Sequence, residues 1–203
     1  MSKDQEDYCL SIKVILLGET SVGKSSLINA YFGKNFNPSI ISTSVPESER
    51  KYLEINEKKY LIEIWDTAGQ EKYRSMNKIF IKDSKVVIFV YDITHQRTFS
   101  ELNYWVKTVK ELLSKETIYG IVGNKADLID EAVVEDKDGK KYAEENEALF
   151  YTTSAKEDSK GFQMFLDNLI KKYVEKNIDK IPNKKGLRKL SLKNNKKKKG
   201  SWC

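Results

Sequence analysis

The sequence predicts an α/β fold: a doubly wound sheet of six strands, mostly parallel, with one antiparallel edge strand and helices on both faces. Three observations carry this. Five short apolar runs, at residues 12–17, 60–64, 86–91, 118–122 and 149–153, are rich in β-branched or aromatic residues and do not alternate with polar ones. Such runs suit strands buried on both faces. Helical patterns lie between them, and strands alternating with helices require right-handed crossovers in one sheet. Finally, residues 51–55 precede the 60–64 run with only four residues between. That gap is too short for a helical crossover, so the pair is expected as an antiparallel hairpin at one edge.

Taken in order, the 12–17 run is the first strand and residues 25–32 the first helix. Residues 33–50 are long, polar and broken by Pro38 and Pro46, and are expected as a loop. A loop of that length inside a compact domain is more often functional than idle. Phe99, Leu102, Val106, Val109, Leu112 and Leu113 share one helical face, and Trp105, at the spacing of Leu102 and Val109, is expected to pack partly into the core. Phe162, Phe165, Leu166, Leu169, Ile170, Tyr173 and Val174 form the apolar stripe of a last helix. Cys9 precedes the first strand and is expected as a structural thiol. Gly120 and Gly123 are expected to allow close packing at the binding pocket.

Charge is unevenly spread. Of the net +6, residues 177–203 carry +9 and the rest −3. The chain is thus a mildly acidic domain with a basic tail, organised as an N-terminal extension (1–9), a globular domain (10–176) and a hypervariable tail (177–203). The basic run 196–199 lacks interleaved aromatics, which argues against nucleic-acid binding. With Pro182, Asn183 and Gly186 and few apolar residues, the tail cannot build a core and is expected to be flexible. Two cysteines make no disulfide framework, and no apolar run reaches the roughly 20 residues of a membrane span. The polar, acidic N-terminus is not a secretory signal. A cytosolic setting is expected.

Gly18, Glu19, Thr20, Ser21, Val22, Gly23, Lys24 and Ser25, with Ser26 behind them, spell GxxxxGK[ST] directly after a buried strand and at the start of a helix. Glycines let successive amides curl towards phosphate oxygens at the positive end of a helix. Lys24 brings a full charge to the phosphates, and the Ser25 hydroxyl is a hard ligand suited to Mg²⁺. Asp66, in Trp65-Asp66-Thr67-Ala68-Gly69-Gln70-Glu71, is placed to hold a Mg²⁺-bound water. Asn124-Lys125-Ala126-Asp127 ends another buried strand. A carboxylate at Asp127 can accept hydrogen bonds from guanine N1 and N2, a donor pair adenine lacks. Thr153-Ser154-Ala155-Lys156 ends the last strand, where a backbone amide can reach guanine O6. All lie at carboxyl ends of strands, where open α/β sheets bind ligands.

These motifs, in this order, resemble the Ras superfamily of small GTPases over roughly residues 10–175, and within it the Rab family. The Rab likeness rests on the 65–75 segment Trp-Asp-Thr-Ala-Gly-Gln-Glu-Lys-Tyr-Arg-Ser, with Tyr91-Asp92-Ile93-Thr94 and Asn103-Tyr104-Trp105 in support. The helix near Phe99 and the 121–124 strand end look closest to the early-endosomal Rab subgroup. The resemblance implies a P-loop GTPase G domain, monomeric, that binds GTP or GDP with Mg²⁺ and hydrolyses GTP slowly. It implies that Phe36 packs edge-on against guanine and that Thr43 ligates Mg²⁺ and senses the γ-phosphate. It further implies that the Gly69 amide meets that phosphate, that Gln70 orients the attacking water, and that Lys125 and Lys156 flank the base. Trp65 and Phe80 are the implied effector face. An exchange factor, a GTPase-activating protein and effectors are the implied partners, with reversible attachment to the cytosolic face of endomembranes.

The sequence departs from the Rab pattern in three places. Ser44-Val45-Pro46-Glu47-Ser48 replaces the usual strand start, and Pro46 removes a ladder donor there. Phe80-Ile81-Lys82 stands where Rabs carry Tyr-Tyr-Arg. The sequence ends on the single Cys203, an expected lipidation site, where two prenylatable cysteines are typical. A rival expectation is a nucleotide-dependent interaction module with little hydrolysis, if Pro46 keeps Thr43 from closing. His95, the single histidine, sits in a polar turn and is not expected as a general base.

Overall fold

The computed structural model describes residues 10–39, 43, 46–67 and 79–178. Six strands form one sheet: β1 (Leu10–Leu17), β2 (Glu47–Ile55), β3 (Lys58–Asp66), β4 (Val86–Asp92), β5 (Ile118–Asn124) and β6 (Leu149–Thr152). Their order across the sheet is β2-β3-β1-β4-β5-β6. Every neighbouring pair is parallel except β2–β3. The apolar runs therefore lie where parallel strands covered on both faces should.

β1 shows how one strand serves two cores. Val14 and Leu16 point into a cluster with Leu27, Phe162, Leu166 and Leu169, whereas Ile15 and Leu17 point into another with Phe89, Leu102 and Trp105. The first cluster lies under α1 (Lys24–Tyr31) and the last helix; the second lies under the helices between β4 and β6. Trp105, at 1% exposed, is more deeply buried than partial core packing requires.

Three elements differ from expectation. Residues 47–50, expected in the 33–50 loop, are strand, because an edge strand is held by its backbone ladder to β3 and needs no apolar side chains. The ladder runs from Glu47 opposite Asp66 to Ile55 opposite Lys58, and Asn56 and Glu57, with φ 51° and 60°, make the two-residue turn. The helix expected around residues 99–113 is divided into α2 (Gln96–Ser100) and α3 (Leu102–Leu112), with Glu101 between them. Leu112 is half-exposed at the end of α3 and does not share the buried face. Finally, a helix not anticipated, α4 (Asp136–Glu145), buries only Gly139 and Ala143. A Cβ at Gly139 would run into the Tyr91 hydroxyl and the Phe150 ring, so α4 packs through absent bulk.

The last helix, α5 (Ser159–Lys176), is capped by the Asp158 carboxylate, which accepts from the Gly161 amide at 3.0 Å. Gly120 lets α5 sit on β5, since a Cβ there would meet Leu169 and Phe165. The edge strand is tied in by Lys51, whose ammonium lies 3.6 Å from the Tyr31 ring centroid, while the Tyr31 hydroxyl donates to Asp167 at 2.7 Å. No helix among the described residues is long and apolar enough to cross a membrane. Cys9, the tail beyond Ile178 and Cys203 lie outside the described residues.

Candidate functional site

The ends of β1, β3, β5 and β6 converge on one cavity of about 380 Å³, within the range of small-molecule sites. It is lined at one end by Thr20, Ser21, Lys24 and Ser25 and at the other by Asn124, Asp127 and Ala155. Thus the loop after β1 and the segments after β5 and β6, far apart in sequence, face the same space.

The loop geometry follows from its glycines. Gly18 has φ 151° and a Cβ there would strike the Val90 carbonyl; Gly23 has φ 96° and a Cβ would strike the Asn124 amide. Ser21 also lies in the left-handed region, at φ 60°. Gly23 begins α1 with no side-chain cap and no acidic residue in the first turn, which leaves helix N-terminal amides for an anion. Lys24 is buried, and its ammonium donates to the carbonyls of Gly18 at 3.0 Å and Glu19 at 2.7 Å. Burial lowers its pKa to about 8, against the opposing pull of the Asp66 and Glu19 charges. Ser26 lines the cavity, whereas Gly18, Glu19 and Val22 serve through the backbone of the loop behind it.

Beside Lys24, three oxygens form a triangle. Ser25 Oγ donates to Asp66 Oδ2 at 2.5 Å, Thr43 Oγ1 donates to the same oxygen at 2.8 Å, and the two hydroxyls are 3.0 Å apart. Pro46 therefore does not keep Thr43 away. Asp66 Oδ1 is buried without a hydrogen-bond partner among the described residues. Two hydroxyls and one carboxylate, one of whose oxygens has no hydrogen-bond partner among the described residues, make an all-oxygen set of the kind a hard divalent cation takes, so the residues fit Mg²⁺. Thr67, which the sequence did not single out, lines the cavity and anchors the end of β3 by donating to the Leu16 carbonyl at 2.7 Å. Gly69 and Gln70 lie outside the described residues.

At the other end the polar groups hold one another. Asn124 is buried; its amide donates to the Val22 carbonyl at 2.8 Å and its oxygen accepts from the Ala155 amide at 3.1 Å. One side chain so bridges the loop after β1 to the segment after β6. Ser154 donates to Asp127 Oδ1 at 2.6 Å and accepts from the amides of Lys156 and Glu157, each at 3.1 Å. In the segment where a backbone amide is expected to reach guanine O6, the Ala155 and Lys156 amides are thus engaged within the protein. Lys156 stands 3.7 Å from Asp127 Oδ2. Phe36, 42% exposed, lines the cavity together with Asn37 and Pro38. Lys125 is in the wall too, but its ammonium is paired to Asp92 at 2.6 Å.

Trp65 and Phe80 meet with ring centroids 5.4 Å apart, and the Lys13 ammonium lies 5.0 Å from the Trp65 ring. Ser48 is the register partner of Trp65 across the hairpin. Both aromatics pack against the second core cluster while remaining partly accessible.

A family model described as the Ras family matches residues 13–175. The chain is 41% identical over 165 residues to Ras-related protein Rab-21 of Homo sapiens, covering 81% of this chain and 73% of that protein. It is 38% identical over 156 residues to Ras-related protein Rab-22A of Homo sapiens, covering 77% and 80%. Similarity extends to Ras-related protein SEC4 of Saccharomyces cerevisiae, 35% identical over 178 residues and covering 88% and 81%.

Proposed function

Because this chain belongs to the Ras family of small GTPases, in its Rab branch, we propose that its GTP hydrolysis drives a Mg²⁺-dependent switch that recruits effectors to membranes in vesicle traffic. The observation that carries this is a single cavity with Lys24 and Ser25 at one end and Asp127 at the other. That span suits a nucleotide whose phosphates meet a buried cation and whose base meets a carboxylate.

Ser25, Thr43 and, through a water, Asp66 would hold Mg²⁺, which when bound neutralises charge on the β- and γ-phosphates. Lys24 then gives up its loop carbonyls for phosphate oxygens, and the free amides at the start of α1 add fixed dipoles. Gln70 orients the attacking water, and Gly69 offers its amide to the γ-phosphate. No arginine precedes Thr43 in the 33–50 segment. Intrinsic turnover is therefore expected on the order of 10⁻⁴–10⁻³ s⁻¹, as in Ras, with roughly 10³–10⁵-fold acceleration by a partner's arginine. Replacement of Gln70 by Leu is expected to slow multiple-turnover phosphate release while GTP stays bound. Thr43 lying within hydrogen-bond reach of Ser25 and Asp66 counts against the interaction-module alternative.

Trp65 and Phe80 form the proposed effector face. The tail, 177–203, with its local charge of +9, is the proposed membrane tether, each Lys or Arg near an anionic surface contributing about 1 kcal/mol. Lipidation at Cys203 would supply the second anchoring signal. Identity to Rab-21 and Rab-22A supports placement near the early-endosomal subgroup. The deciding experiment is extraction of the nucleotide that copurifies with the full chain. GDP or GTP is expected; ATP without guanine nucleotide would overturn the proposal.

A further inference from the structure

Behind the base end of the cavity, Asp92, which the loop motifs do not include, forms a charge pair with Lys125. Asp92 closes β4 directly opposite Asn124, and its side chain is only 4% exposed. Its two oxygens have separate tasks. Oδ1 accepts from the Thr94 amide at 2.9 Å and the Thr94 hydroxyl at 2.7 Å, which folds the chain into a tight turn after β4. Oδ2 faces the Lys125 ammonium at 2.6 Å and His95 Nδ1 at 3.1 Å. Burial alone would push the Asp92 carboxyl up, but the hydrogen bonds from Lys125 and Thr94 outweigh it and hold the group below its ordinary value.

Lys125 needs such a hold. It sits in the left-handed region at φ 70°, ψ 36°, which a side chain with a Cβ disfavours, and it carries a long, freely rotating stem. Left to itself, that stem would have to be ordered each time a base arrives, and affinity would fall by the entropy of ordering it.

We infer that Asp92 is a positioning residue of the base pocket: by pinning the Lys125 ammonium, it lays the lysine stem along the wall before nucleotide binds. This assignment rests on the guanine-nucleotide reading above. Since the base is common to GDP and GTP, loss of the hold must weaken both by the same factor and leave phosphate chemistry alone.

The test is a cycle of four full-length proteins: wild type, D92N, K125M and the double variant. Asn at 92 keeps an oxygen for Thr94 and loses the charge; Met at 125 keeps the stem and loses the ammonium. Release of ribose-labelled fluorescent GDP and of a labelled non-hydrolysable GTP analogue is followed, with single-turnover hydrolysis of bound GTP alongside. In D92N both nucleotides are expected to leave about tenfold faster, at unchanged hydrolysis per bound GTP. In the K125M background the same change is expected to add less than twofold. Release within twofold of wild type in D92N, unequal factors for the two nucleotides, or equal acceleration in both backgrounds would each overturn the inference. Should wild type hold no guanine nucleotide, the parent reading falls with it, and that outcome appears before any variant is compared.

Discussion

The two ends of the cavity are built on opposite terms. At the base end, Asn124, Asp127, Ser154 and Ala155 are already joined to one another and to Val22, at 2.6 to 3.1 Å. At the phosphate end, Ser25, Thr43 and Asp66 are drawn in on themselves, Asp66 Oδ1 has no hydrogen-bond partner among the described residues, and Lys24 donates to two loop carbonyls. The first arrangement is a finished surface that recognises shape. The second is a set of groups satisfied by provisional partners that a cation and phosphates would replace. On the proposed reading, base selection would be a property of the fold, while phosphate sensing would require rearrangement.

Breaking the base end should cost most. Replacing Asp127 with Asn removes the charged acceptor of two hydrogen bonds, at roughly 1.5–3 kcal/mol each, so GTP affinity should fall on the order of 10²–10⁴-fold. Xanthine nucleotide should gain, since its 2-oxo group replaces the guanine amine. Competition titration of the two nucleotides measures both effects, and GTP affinity within threefold of wild type would remove Asp127 from the base pocket.

Next comes Asn124→Ala, which strands the Val22 carbonyl and the Ala155 amide in a buried position, about 1–3 kcal/mol for each. For a domain of this size that corresponds to a fall in melting temperature of roughly 5–15 °C. GDP and GTP should weaken together, because the bridge serves both ends of the cavity. Calorimetry with and without nucleotide checks this.

A smaller change, Gly139→Ala, damages the scaffold away from the cavity. The new methyl meets Tyr91 and Phe150, costing about 1–3 kcal/mol of overpacking, partly offset by roughly 1 kcal/mol of helix propensity. Stability should drop by up to about 2 kcal/mol in denaturant titration with nucleotide release changed less than twofold.

The smallest effect is expected at the phosphate end itself. Thr43→Ala leaves the Ser25–Asp66 bond standing, so stability without nucleotide should change by less than about 1 kcal/mol. A loss comparable to that of Asn124→Ala would mean that the oxygen triangle is structural glue, and the contrast between the two ends would collapse.

Much of this was legible in the sequence. Strands buried on both faces announce themselves as unbroken apolar runs, and the phosphate loop has a fixed spacing that a glycine-dependent geometry imposes. What stayed hidden depended on signals of another kind. The polar residues 47–50 belong to a strand because backbone pairing with β3, not burial, holds them. α4 hides because its contact face consists of Gly139 and Ala143 amid charged residues. Asp92 served only as part of a family-like tetrad, since nothing in its neighbours along the chain announces a salt bridge to Lys125, 33 positions on.

The register of the edge hairpin has one more consequence. β2 is paired up to Glu47, which lies opposite Asp66, and Thr43 stands only four residues before it. Four residues reach at most about 14 Å, so whatever the intervening chain does, the Thr43 Cα is leashed within that radius of the Glu47 Cα. A tether so short keeps its effective concentration at the carboxylate on the order of millimolar or higher. On the proposed reading, any return of Thr43 to Ser25 and Asp66 would be a local, unimolecular search, and a partner holding the segment away would compete with that concentration throughout.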